Sequence, residues 1–136
     1  MFWSVAEPSC AQGYSYGSLI ASLHPVLPEP ITTAHILISY PLDKRGLLTL
    51  FHSNTYISGL SNLTRDPHSH VLLAFGDHDE FTSIDSYEDW IEKIKNTDTE
   101  IHSGPEVVIV EKASHFWRAN SLDILSEKVG RWLDIL

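Results

Sequence analysis

Val71-Leu72-Leu73-Ala74-Phe75-Gly76-Asp77-His78-Asp79-Glu80 starts as five apolar residues in a row and breaks at a glycine followed by acids. A half-buried strand would alternate apolar and polar positions, so an unbroken run of this length fits a strand covered on both faces, as in a parallel sheet. Moving outward, His35-Ile36-Leu37-Ile38-Ser39-Tyr40 gives a similar run that stops at Pro41. Val107-Val108-Ile109-Val110 gives a third after Gly104-Pro105.

Helical periods lie between these runs. Tyr87, Trp90, Ile91 and Ile94 recur at i, i+3, i+4 and i+7, with Asp85 three residues before Glu88 in capping-box order. Leu122, Leu125, Val129, Trp132, Leu133 and Leu136 repeat the pattern, with Asn120 or Ser121 as the expected N-cap. Leu47 to Leu60 reads as a weaker helix because Thr49, Asn54, Thr55 and Gly59 interrupt it. The alternation predicts an α/β fold with a parallel sheet and right-handed crossovers.

Composition narrows the function. Apolar residues make up 43% of the 136 positions and charged residues 20%, which excludes a disordered chain. The formal net charge of -9 opposes binding to a phosphate backbone or an anionic lipid surface, so neither nucleic acid nor membrane is an expected partner. Cys10 is the one cysteine and cannot pair internally. With the first basic residue at Lys44, no signal or transit pattern is read, and a cytoplasmic location is expected.

The chemistry-bearing stretch is Gly13-Tyr14-Ser15-Tyr16-Gly17-Ser18, which contains G-x-S-x-G. In a nucleophile elbow the serine occupies a strained strand-to-helix turn, and side chains must be absent on both sides of it. Gly13 and Gly17 meet that need, and Leu19 to Leu23 supplies a helix start. The bland alternative is a glycine-bounded turn with an incidental serine. Against it, Asp79 follows the second apolar run and His115, in Ala113-Ser114-His115-Phe116-Trp117, follows the third. Loops beyond the C-terminal ends of parallel strands are where such a sheet gathers its site, and the order Ser, Asp, His matches a known triad arrangement.

On Gly13–Ser18, Val71–Thr82 and Val108–Trp117, residues 13–136 resemble the C-terminal half of a compact α/β-hydrolase of the small esterase or dienelactone-hydrolase-like kind. The resemblance implies Ser15 as nucleophile, His115 as general base, Asp79 as the acid orienting it and the Tyr16 N–H as an oxyanion donor. It implies a serine hydrolase of esters or similar acyl substrates that needs no cofactor and no metal. The family pattern also places strands before the elbow, and a loop there donates the second oxyanion N–H. Twelve residues precede Gly13, and Glu7 and Pro8 do not suit a central strand. The expectation is therefore a truncated or splice-variant chain of three to four parallel strands, with the N-terminal half of the sheet missing. Residues 1–12 are expected to be unrelated to the family and poorly ordered. The second function class that follows is an impaired or inactive fragment, self-associating through an uncovered sheet edge or acting with another chain.

Other constellations read as structural. His68-Ser69-His70 would point two rings the same way from a strand but lacks a third metal ligand at a convincing spacing. His24, His35, His52 and His102 read as surface or helix-end residues. The acids from Asp77 to Glu100 read as a solvated helix face. Trp90, Trp117 and Trp132 read as core or groove fillers, Trp117 being the exception to watch because it follows His115 by two positions.

Overall fold

A computed structural model describes residues 7–43, 53–97 and 104–136. The described elements run β1 (Ser9–Tyr14), α1 (Tyr16–Ala21), β2 (Thr33–Ile38), α2 (Ser53–Arg65), β3 (Ser69–Gly76), α3 (Ile84–Thr97), β4 (Glu106–Val110) and α4 (Ala119–Asp134). The four strands form one sheet in the order β1-β2-β3-β4, and every pair is parallel.

The continuous apolar runs have the cause inferred from sequence. Every residue of β2 is buried, and β3 is buried from Val71 to Gly76. Alternate residues of these strands serve opposite faces. Leu37, Val71 and Leu73 join Leu19 of α1 and Tyr56, Leu60 and Leu63 of α2 in one core cluster, with Trp90 of α3 packed against it. Ala34, Ile36, Ile38, Leu72 and Ala74 form the other cluster with Leu125 and Trp132 of α4. Tyr87 stacks on Phe75 at 3.8 Å between centroids and donates its hydroxyl to the Tyr40 carbonyl at 2.8 Å, fixing α3 to the ends of two strands.

The edges depart from the expectations. Residues 9–12, expected to be poorly ordered, are part of β1: Ser9 to Gln12 pair with Thr33 to Ile36, and the Ser9 N–H donates to the Thr32 carbonyl at 2.9 Å. Pro8 costs no ladder bond because it precedes the strand, and Glu7 is exposed outside it. As an edge strand among the described residues, β1 needs no apolar run, and only Gly13 is buried. Likewise β4 is not covered on both faces: Glu106 and Ile109 are exposed and only Val110 is buried.

Helix ends differ too. In α3 the cap is Ser83, whose Oγ accepts the Ser86 N–H at 3.2 Å; Asp85 lies inside the first turn. In α4 the helix starts at Ala119, so Asn120 and Ser121 are inside it, and Ser121 Oγ accepts the Arg118 N–H at 3.2 Å. The expected helix from Leu47 to Leu60 is described from Ser53 and runs on to Arg65; its first residues, with His52 and His102, lie outside the described residues.

Candidate active site

β1 delivers Ser15 to the C-terminal end of the sheet in a backbone conformation of φ 53 and ψ -121, a region non-glycine residues rarely occupy. The Ser15 N–H donates to the Ile38 carbonyl at 2.9 Å and its carbonyl accepts the Ser18 N–H at 2.9 Å, so the strain is held from both sides. The two motif glycines are not equivalent. A Cβ on Gly13 would overlap the Gly17 carbonyl, whereas one on Gly17 would meet open space. The steric demand read for both sides of the serine therefore holds at Gly13 alone.

The acid loop and the histidine loop are built against each other. A Cβ on Gly76 would strike the Ala113 carbonyl, and the His78 N–H donates to that same carbonyl at 3.0 Å. Asp77 Oδ1 accepts the Lys112 N–H at 2.6 Å and meets His78 Nδ1 at 2.6 Å. These bonds hold the Asp77 carboxyl below the usual aspartate range, with His78 the largest cause. Asp77 is thus a loop fastener.

The structure brings Ser15, His115 and Asp79 together. His115 Nε2 lies 2.9 Å from Ser15 Oγ, and His115 Nδ1 lies 2.9 Å from Asp79 Oδ2. Asp79 and His115 are buried, at 8% and 5% exposure. The other Asp79 oxygen accepts the N–H groups of Phe81 at 2.8 Å and Thr82 at 3.1 Å, so the carboxylate cannot rotate without losing two bonds. Its Oδ2 is left for the imidazole. Tyr16 is the first residue of α1, where N–H groups have no intrahelical acceptor.

Sequence reasoning missed two participants, Glu80 and Tyr14. The His115 N–H donates to Glu80 Oε2 at 3.0 Å, and its carbonyl accepts the Tyr14 hydroxyl at 2.8 Å. Trp117 Nε1 donates to Ser39 Oγ at 3.0 Å, tying the histidine loop to the end of β2. Trp117 is half-buried against the α4-side core rather than presented as a platform. The only sequence signal for Tyr14 and Glu80 was adjacency to Ser15 and Asp79.

Phe81 and Phe116 are 39% and 50% exposed and flank the imidazole at 4.5 and 5.4 Å between ring centroids. An apolar groove of about 310 Å³ adjoins them, lined by Tyr14, Ile38, Phe116, Trp117, Leu122 and Leu125. A larger cavity of about 800 Å³ lies at the opposite end of the sheet, among Val26–Thr32, Asp66–His68 and His70, remote from Ser15. It includes the exposed His68, 3.6 Å from Glu29. Among the described residues no three His, Cys, Asp or Glu side chains are grouped to hold a metal ion.

His35 departs from its surface reading. It is fully buried, with Nε2 2.8 Å from the His24 carbonyl, and burial pushes its pKa down.

No family model and no curated protein matches the sequence. Solved structures do match. A putative dipeptidyl aminopeptidase IV from Bacteroides ovatus aligns with a TM-score of 0.61 at 17% identity, over 90% of this chain and 18% of its own. An esterase from Pyrococcus furiosus aligns at 0.61 and 18%, over 92% of this chain and 52% of its own. An alpha-beta serine hydrolase homologue from Coxiella burnetii aligns at 0.55 and 21%, over 90% and 48%. The fold is therefore that of part of an α/β-hydrolase. The chain spans about half the length, or less, of these proteins. No helix among the described residues is long and apolar enough to cross a membrane.

Proposed function

We propose that the chain is a serine hydrolase acting on an ester or similar acyl substrate, with Ser15 as nucleophile, His115 as general base and Asp79 as its orienting acid. The observation that carries this reading is the unbroken line Ser15 Oγ to His115 Nε2, then His115 Nδ1 to Asp79 Oδ2, each step 2.9 Å. Both distances are within hydrogen-bond reach for proton transfer.

In this mechanism Ser15 Oγ attacks the acyl carbon as its proton passes to His115 Nε2. Asp79 Oδ2 accepts the Nδ1–H and stabilises the imidazolium. The Tyr16 N–H at the start of α1 faces the oxygen that gains charge. Collapse returns the proton from His115 to the leaving alcohol, giving an acyl-Ser15 ester. Water, deprotonated by His115, then releases the acid. None of these steps calls for a metal or a cofactor.

A second reading, low turnover until a second copy or another chain covers the site, is supported by the exposure of Tyr14 at 43%, Phe116 at 50% and Leu122 at 47% along the groove. The outer edge of β1 has no paired strand among the described residues, which offers a route for self-association. The lone Cys10 and the acidic surface support a cytoplasmic setting without nucleic-acid or lipid partners. Labelling with a fluorophosphonate and hydrolysis of p-nitrophenyl acetate, both abolished in Ser15→Ala, test the reading. Labelling that survives in Ser15→Ala would refute it.

A further inference from the structure

His115 lies in a loop beyond β4, where no strand ladder fixes its backbone. Its two main-chain polar groups are nevertheless both engaged by side chains from distant parts of the chain. The N–H donates to Glu80 Oε2 at 3.0 Å and the carbonyl accepts the Tyr14 hydroxyl at 2.8 Å. Tyr14 immediately precedes Ser15, and Glu80 immediately follows Asp79. Each side-chain partner of the imidazole therefore has a chain neighbour gripping the histidine's own backbone.

We propose that Tyr14 and Glu80 are a pair of positioning residues that clamp the His115 main chain from both sides and so set its ring between Asp79 and Ser15. The inference rests on the proposed hydrolase reading for its catalytic consequence, but the clamp itself is a matter of where the ring sits.

The chemistry suits the task. A carboxylate accepting a backbone N–H makes a charge-assisted bond, stronger than a neutral one. That bond is the first cause holding the Glu80 carboxyl below the usual glutamate range, so it stays an acceptor at neutral pH. The Tyr14 phenol is pushed up, by burial first and then by the charges of Asp79 and Glu80, so it stays a donor. The Tyr14 ring also lies 5.4 Å from the imidazole. Because Tyr14 is rigidly joined to the strained Ser15 and Glu80 to the fastened Asp79, the clamp couples all three side-chain positions.

The test is NMR of protein carrying ¹⁵N-histidine, alongside ester kinetics, on the full chain. The wild type is expected to show a low-field His115 Nδ1–H resonance from the bond to Asp79. Glu80→Ala and Tyr14→Phe should each broaden it, and the double variant should lose it. Glu80→Gln, whose amide oxygen still accepts the N–H, should retain it. In p-nitrophenyl acetate hydrolysis kcat should fall by about 10²-fold in the double variant with KM little changed, as expected for a misplacement near 1 Å. A wild type lacking the resonance, or folded Glu80→Ala and Tyr14→Phe proteins that keep it unchanged, would overturn the clamp. If the resonances respond as expected while the wild type neither turns over nor labels at Ser15, the clamp stands and the hydrolase reading fails.

Discussion

His115 Nε2 sits 2.9 Å from Ser15 Oγ, although 100 positions separate the two residues in the chain. Their meeting depends on two edge strands, β1 and β4, being held at opposite sides of the buried pair β2 and β3. Whatever moves either edge loop moves this contact.

Asp79→Asn should lower kcat for p-nitrophenyl acetate by about 10⁴-fold, because an amide NH₂ facing Nδ1 favours the wrong imidazole tautomer. Asp77→Asn should leave most of the turnover, since its Oδ1 fastens Lys112 and never reaches His115. Steady-state kinetics of the two variants decide the matter. Equal losses would mean that Asp77 shares the acid's role.

The glycines should separate by urea denaturation. Gly13→Ala and Gly76→Ala force a methyl onto the Gly17 and Ala113 carbonyls and should each cost about 1–3 kcal/mol. Gly17 lies in the first turn of α1 with open space beside it, so Gly17→Ala should stabilise by about 0.5–1 kcal/mol. A destabilising Gly17→Ala would show that the elbow needs both glycines.

What was readable from the sequence follows burial. Val71–Phe75 and His35–Ile38 announced their strands because both faces are covered, leaving no polar position to blur the run. β1 was hidden because only alternate residues such as Ala11 and Gly13 face the core, while Cys10, Gln12 and Tyr14 are exposed. Ser15, Asp79 and His115 could be picked out because each ends or follows a strand with a recognisable spacing. Glu80 and Tyr14 could not, since their bonds go to the backbone of a residue 35 and 101 positions away. His35 was misjudged because nothing local tells a buried imidazole bonded to a neighbouring carbonyl from a solvated one.

His35 gives the pH dependence. Its folded pKa lies below the unfolded value near 6.5, so folding favours the neutral ring. That contribution is complete above about pH 6.5 and is lost as pH falls from there through the lower folded value. Relative to His35→Gln, the wild type should therefore lose urea resistance as pH falls below about 6.5. A difference that stays constant as pH falls below about 6.5 would mean His35 titrates normally despite its burial.

The central claim is that Ser15, activated by His115, is a nucleophile. The most direct measurement is mass spectrometry of the full chain after exposure to a fluorophosphonate, with peptide mapping of the adduct. The account predicts one phosphonyl group on Ser15, absent in Ser15→Ala and slowed by about 10³-fold or more in His115→Ala. An unmodified Ser15, or equal labelling in His115→Ala, would contradict it.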